Sequence, residues 1–444
     1  KVCWSTCNFD TDISIIGSTW LNDESPRDPQ AIASAISSKK TLLILDEVQE
    51  LSSRHTESIS ELIQACSREK VACLISVRAP SPFGKIEGFE EFRIDGLKTI
   101  DALNLLPQNI DSESAEKVVE ALGGHPLALR LWDYDDEMPA KGQAVTEYVQ
   151  KTVLTRLNSE ATSTLDELSL SPLPLAFDEV ISEDGAWSLE ESAVLRWVEN
   201  LIEPHHLIRN VRLSIIDEES VRAIHSKSAI LWAQREGSRA RRIEAHHRLS
   251  SGDDIDPDWL VNIVEMISQE DSAAAAVLIE DASLSIDNEK IHFAAVDLAL
   301  ERGEHLIAES HLDMIEESPQ SLIRRARIYR YRGDNNSAQK AESEAVNSLS
   351  PAERVRLQIS SLVRCYDDRL PGESSDVNIE QLSEIDLSLI PDTDKSAAAL
   401  SINLLRHALA LDSGDVEAAA NTRSYLAVSL GEDHPLLSLI DLRT

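Results

Sequence analysis

The clearest chemistry in the chain lies in Thr41-Leu42-Leu43-Ile44-Leu45-Asp46-Glu47-Val48-Gln49. Four consecutive apolar residues predict a buried strand, and an acidic pair closes it. Ligands of open α/β sheets bind outside the carboxyl ends of the strands. Asp46 suits a metal role there, holding a Mg²⁺ ion on nucleotide phosphates, because Mg²⁺ takes hard oxygen ligands. Glu47 suits the catalytic role of polarising an attacking water. The same residues also describe an ordinary strand that ends in a solvated acidic turn. A second run, Val71-Ala72-Cys73-Leu74-Ile75-Ser76-Val77, ends in Arg78. Arg is suited to phosphate, so a guanidinium at the matching edge of a neighbouring strand could meet a terminal phosphate. A surface ion pair is the alternative. A third motif is Leu122-Gly123-Gly124-His125-Pro126-Leu127-Ala128-Leu129. The glycines stop one helix and Pro126 opens the next. This is either a lid whose Pro126 packs near a bound adenine or a plain joint between helices.

These residues need elements to hold them. Residues 1–100 alternate apolar runs with stretches of helical period such as Ile59, Leu62, Ile63 and Cys66. That alternation predicts a parallel α/β sheet with strands covered on both faces, and Phe92-Arg93-Ile94 reads as a third, shorter run. After Gly96 the strand signal ends. Residues 150–235 read as helical apart from Leu207 to Ile215, which reads as a two-strand wing, giving a winged-helix pattern. From about residue 255 the chain is Ala-rich and helical. Gly303, Gly333 and Gly414 are each followed five residues later by Ala308, Ala338 and Ala419. Gly in a turn with small residues at the helix contact is the tetratricopeptide pattern. The Asp-, Ser- and Pro-rich stretch 367–395 interrupts it.

The composition narrows the classes. Of 444 residues 42% are apolar, which excludes wholesale disorder. Lys plus Arg number 42 and Asp plus Glu 78, a net charge of −36. That sum argues against a general nucleic-acid coat or an anionic-membrane binder. Two basic clusters oppose it, Arg235, Arg239, Arg241, Arg242 and Arg248, and Arg324, Arg325, Arg327, Arg330 and Arg332. They read as neutralising neighbouring acidic helices. The pairs His205-His206 and His246-His247 have no zinc-ligand spacing around them and read as surface. No apolar run reaches membrane length. Five cysteines without a C-x-x-C pair fit a reducing, cytoplasmic compartment.

The order of these motifs resembles the STAND class of P-loop NTPases, the group of NB-ARC proteins and archaeal and bacterial regulatory ATPases. Leu42 to Val48 resembles their Walker B strand, and Ser76-Val77-Arg78 their sensor-1 ending. Gly124-His125-Pro126-Leu127-Ala128-Leu129 is similar to their Gly-Leu-Pro-Leu-Ala-Leu motif. Val221 to Leu231 looks like the segment around their Met-His-Asp motif, with His225 at the His. Ile224 and Ser226 replace its Met and Asp. The resemblance implies a P-loop NTPase-type α/β domain over residues 1–97, a helical lid over 98–150, a winged helix over 151–235 and an all-α TPR-like solenoid over 236–444.

What the resemblance implies for function is an ATP/ADP-dependent signal-transduction switch using Mg²⁺. Glu47 would be the catalytic base, Asp46 the metal ligand, and Arg78, Pro126 and His225 the nucleotide-binding residues. The helical repeats would bind a protein partner, and the switch would set a homo-oligomer. A G-x-x-x-x-G-K-[ST] loop, which cradles phosphates, occurs nowhere in the chain. The expectation is a chain that begins inside a domain, with that loop and an output domain, such as a DNA-binding one, upstream of Lys1. It should then bind ATP weakly or not at all by itself. Two alternatives stand beside this reading. One is a non-enzymatic TPR-like scaffold with a degenerate ATPase domain. The other is a winged-helix DNA-binding transcriptional regulator.

Overall fold

The computed structural model describes residues 1–21, 28–37, 40–78, 81–107, 110–133, 145–346, 349–367, 377–432 and 434–441. The chain divides into two compact units, Lys1–Arg302 and Gly303–Thr444. The first unit opens with a three-stranded sheet of β1 (Val2–Thr6), β2 (Leu42–Asp46) and β3 (Ala72–Ile75), in the order β1-β2-β3. All pairings are parallel, with Thr6 opposite Asp46 and Leu45 opposite Ile75. Parallel neighbours need crossovers, and the helices Ile13–Leu21, Pro29–Ser37 and Ser53–Arg68 supply them. Their residues Ile16, Trp20, Ile32, Ile59 and Leu62 bury one face of the sheet against Leu43 and Leu45.

Two expectations about this sheet are corrected. Only β2 has consecutive buried residues, while β1 alternates buried and exposed positions. Trp4 and Leu74, on either side of Ile44, are each 55% exposed. The sheet is thus covered by described residues on one face, and the period of two in β1 carried that information. Phe92-Arg93-Ile94 forms no strand, with Phe92 82% and Ile94 95% exposed. Three residues with an Arg at their centre offer too little apolar surface to fix a ladder.

The joint at Gly123-Gly124 is specified by backbone contact. Gly124 lies at φ +67°, and a Cβ there would collide with the Leu97 carbonyl oxygen. The Leu97 N–H donates to the Gly124 carbonyl at 2.8 Å. His125 caps the helix Pro126–Leu131, accepting from the Ala128 N–H through Nδ1 at 3.4 Å.

The hairpin of this unit stands one element ahead of the expected wing. β4 (Leu195–Val198) and β5 (Leu201–Pro204) pair antiparallel, and Leu207 to Ile215 belong to the helix His206–Ile215. The apolar residues 211, 213 and 215 suggest alternation, but Ile208 and Val211, three apart, are the buried pair.

Helices make up most of the described residues that follow. Two buried ion pairs tie the helices Ser238–Ser251 and Glu289–Glu301 to the loop after β1. Arg242 donates to Asp10 and Arg302 to Asp12, each at 2.9 Å. His55 stands 3.2 Å from the Ala273 carbonyl oxygen. In the second unit the helices Pro319–Tyr331 and Asn335–Val346 meet at Gly333, and Asp392–Ser413 and Val416–Leu430 at Gly414. Gly303, Gly333 and Gly414 all have left-handed backbones, and Ala308, Ala338 and Ala419 are all buried. The glycine-to-alanine offset therefore reports helix pairing. Of the interrupting stretch 367–395, residues 368–376 lie outside the described residues. No described helix is long and apolar enough to cross a membrane.

Candidate functional site

The carboxyl ends of the three strands converge on one edge. The Cys7 N–H donates to the Asp46 carbonyl at 2.8 Å, and the Ser76 N–H to the Leu45 carbonyl at 2.9 Å. Asp46 and Arg78 thus share the edge. The Asp46 carboxylate accepts from the Ser76 hydroxyl and from the Glu47 N–H. Burial, and then the Asp46 charge, push the Cys7 thiol up to about 12. Glu47 has φ 58° and ψ 36°, a left-handed conformation that non-glycine residues seldom adopt. It turns the chain sharply from β2 into the short turn Val48–Glu50.

That turn aims the Glu47 side chain at Arg78, Arg196 and His206. Arg78 Nη2 donates to both carboxylate oxygens, at 2.8 and 2.7 Å. Arg196, on β4, stands 3.5 Å away and is itself paired with Glu203 at 2.6 Å across the hairpin. His206 lies directly after β5, with Nε2 3.4 Å from Glu47 and Nδ1 3.0 Å from Glu50. Burial lowers the pKa of His205, and the charges of Arg196, Arg130, His206 and Arg78 lower it further. Burial opposes ionisation of Glu50, yet His206 and Arg209 hold its carboxyl below the usual range. Burial also lowers His125, and the Arg78 charge adds to that. Arg78, Arg196 and His206 thus meet Glu47, with Glu203 on Arg196 and Glu50 on His206 completing the set. A guanidinium in such a set can exchange a carboxylate for a phosphate.

The expected residues separate in this geometry. Asp46, Glu47 and Arg78 come together. Pro126 is exposed at the start of its helix, next to His125, which feels the Arg78 charge. His225 is buried in another cluster. Its Nδ1 stands 2.8 Å from His247 Nδ1, and the His246 ring lies 5.8 Å from its own. Burial lowers His225 to about 4 and, with the His225 charge, His247 to about 3.

The reading of both histidine pairs as surface is corrected. His206 is 7% and His247 1% exposed. His225 was singled out by its place in a Met-His-Asp-like segment, and the histidines that follow the hairpin β4–β5 are His205 and His206. The basic clusters are engaged within the chain: Arg239 with Glu179, Arg242 with Asp10, Arg330 with Glu342 and Arg332 with Glu309.

No protein-family model matches the chain, and no curated protein matches it. Its fold is similar to a solved structure, the Signal Transduction ATPase with Numerous Domains (STAND) protein with a tetratricopeptide repeat sensor from Pyrococcus horikoshii. The match covers 99% of this chain and 73% of that one, at 13% identity and a TM-score of 0.59. At that identity the likeness concerns the fold.

Proposed function

We propose that the chain is the switch and sensor part of a nucleotide-dependent signal-transduction ATPase of the STAND kind. The observation that carries this reading is the meeting of Asp46, Glu47, Arg78 and Arg196 at the carboxyl edge of the sheet. The residues fit the group in part. Asp46 offers a hard oxygen, oriented by Ser76, for Mg²⁺. Arg78 and Arg196 offer charge to phosphates, His205 offers a neutral ring N–H, and Pro126 would flank the adenine. The backbone donors of a G-x-x-x-x-G-K-[ST] loop are not among this chain's motifs. A bound ATP supplies the terminal phosphate that distinguishes the two states of such a switch.

In this reading Glu47 accepts the proton of the attacking water, and Arg78 exchanges its hold on Glu47 for the terminal phosphate. We assign the post-wing sensor position to His205 and His206, and leave His225 to its buried histidine cluster. The domain plan is an α/β domain over 1–97, a helical lid over 98–150, a winged helix over 151–235 and repeats over 236–444. The repeats bind a protein partner, and the nucleotide state sets a homo-oligomer. The test is calorimetry of this chain with Mg-ATP, Mg-ADP and inorganic triphosphate. Weak, salt-sensitive binding is expected, stronger for the triphosphates and lost in Arg78→Ala. Equal affinities of wild type, Arg78→Ala and Arg196→Ala overturn the reading.

A further inference from the structure

We infer that Phe177, Trp187 and Trp197 form a docking surface for a basic segment of a partner protein, one that presents Lys or Arg together with apolar residues. The three rings come from three stretches of the chain. The Leu175 N–H donates to the Ile202 carbonyl at 3.0 Å, and the Ile202 N–H to the Leu175 carbonyl at 2.7 Å. That bridge to β5 places Phe177 beside the hairpin. Trp197 stands on β4 and Trp187 on the helix Glu183–Glu191. The Phe177 ring stacks on Trp197 at 5.3 Å and tilts against Trp187 at 4.8 Å. Glu190 accepts from the Trp197 Nε1–H at 3.1 Å, which holds that ring to the helix.

Contact between the rings does not remove them from water. Trp187 is 55% and Trp197 49% exposed, and Ile181, just before that helix, is exposed as well. A lone exposed apolar residue needs no explanation, whereas a cluster of exposed rings marks a binding surface. Trp is enriched among the residues that carry most of the energy of an interface. Trp197 and Arg196 are adjacent on β4 and so point to opposite faces of the hairpin. Arg196 reaches Glu47, so the aromatic surface lies away from that contact and does not depend on the nucleotide reading.

Charge complementarity chooses the occupant. Glu183, Asp184, Glu190 and Glu191 lie three or four residues from Trp187 on one helix and share its side. Glu199 turns the hairpin at φ 57°, two residues after Trp197. Glu183, Asp184, Glu191 and Glu199 are exposed, and among the described residues no cation pairs with them. The one cation between Phe177 and Glu203 is Arg196, and Glu203 and Glu47 already engage it. A guanidinium or ammonium group gains from a ring face and from a carboxylate beside it. Nucleic-acid phosphates meet repulsion from the same carboxylates. A second copy docking through the same patch sets those carboxylates against their own kind. A basic protein segment suits both the rings and the charge.

The test is fluorescence polarisation of a labelled peptide alternating Arg and Leu, titrated with the whole chain. A peptide alternating Glu and Leu and a short DNA duplex serve as controls. Saturable binding of the basic peptide is expected, weakened by salt, with neither control bound. Trp187→Ser and Trp197→Ser should each weaken it by about tenfold or more. Glu191→Gln should weaken it severalfold, and serves as the reporter if a Trp variant does not fold, as judged by circular dichroism. Glu417→Gln, an exposed position in the second unit, removes the same charge elsewhere and should leave the affinity unchanged. Equal affinities of Glu191→Gln and Glu417→Gln, or unchanged affinity in the folded Trp variants, would show attraction by net charge alone and overturn the surface. Binding of the duplex, or no binding of the basic peptide, overturns it as well.

Discussion

Asp12 and Arg302 stand 290 residues apart in sequence and 2.9 Å apart in space, both almost wholly buried. Asp12 sits in the loop between β1 and its crossover helix, where it also accepts from the Ile15 N–H and the Ser14 hydroxyl. Arg302 closes the helix Glu289–Glu301 and also donates to Ser272. With Asp10 and Arg242, these pairs fix the carboxyl end of β1 to the helices Ser238–Ser251 and Glu289–Glu301. The loop at the sheet edge is thus held by elements far along the chain.

Removing one partner leaves a buried charge uncompensated, which costs about 3–5 kcal/mol. Arg302→Ala is therefore expected to lower the urea midpoint strongly, and a change under about 1 kcal/mol would refute the coupling. The pH dependence has a definite sign. Burial raises the Asp12 pKa, but Ile15, Ser14 and Arg302 outweigh it and the net shift is downward. The stabilisation is present above the unfolded carboxylate pKa and disappears as pH falls through the lower, folded value.

The paired imidazoles of His225 and His247 predict a second acid sensitivity, at higher pH. Burial takes His225 from its ordinary 6.5 to about 4. Between those values the unfolded chain binds a proton that the folded chain refuses, so stability rises with pH across that window. Each such histidine contributes up to about 1.4 kcal/mol per pH unit. His225→Asn keeps a hydrogen-bonding group near the Nδ1 position and cannot titrate. Its unfolding free energy should fall less steeply from pH 6.5 to 4 than that of the wild type. Equal slopes would show that the pair does not titrate in this window.

What the sequence disclosed, and what it hid, follows from the range of each interaction. β2 was legible because Leu42 to Leu45 are adjacent residues, and so was its acidic end. The glycine turns were legible because Gly333 and Ala338 are five apart and act on one helix pair. The hairpin was displaced by one element because Arg196, Trp197, Glu203 and Pro204 give a weak strand pattern beside the apolar 207–215. No local pattern announces that Arg196 and His206 reach Glu47, or that Arg302 reaches Asp12. Those contacts are settled by packing between segments that sequence spacing does not connect.

Gly333 tests the repeat turn. Its φ of +76° is a left-handed conformation that costs an L-residue about 1 kcal/mol, so Gly333→Ala should destabilise by about that amount. Ala338 is fully buried, and Ala338→Leu should cost about 1–3 kcal/mol by overpacking the pair of helices. Thermal unfolding of both variants checks this. A neutral Ala338→Leu would mean that the helices do not meet there.

Glu47 has the same backbone conformation without being glycine. Strain of that kind persists where surrounding contacts over-determine it, often at functional sites. Here the contacts are Arg78, Arg196 and His206, and the acidic side chain is what they require. Two substitutions separate the backbone from the side chain. Glu47→Ala removes the carboxylate and keeps a Cβ in the left-handed region. Glu47→Gly removes both. Each loses the same ion pairs, so their difference isolates the backbone, and Glu47→Gly is expected to be the more stable by about 1 kcal/mol. Neither variant should retain the hold on Arg78. The measurement is a pair of urea unfolding curves with equal slopes, compared at their midpoints. If Glu47→Ala is as stable as Glu47→Gly, the turn after β2 relaxes freely once the carboxylate is gone, and the cations alone impose its shape.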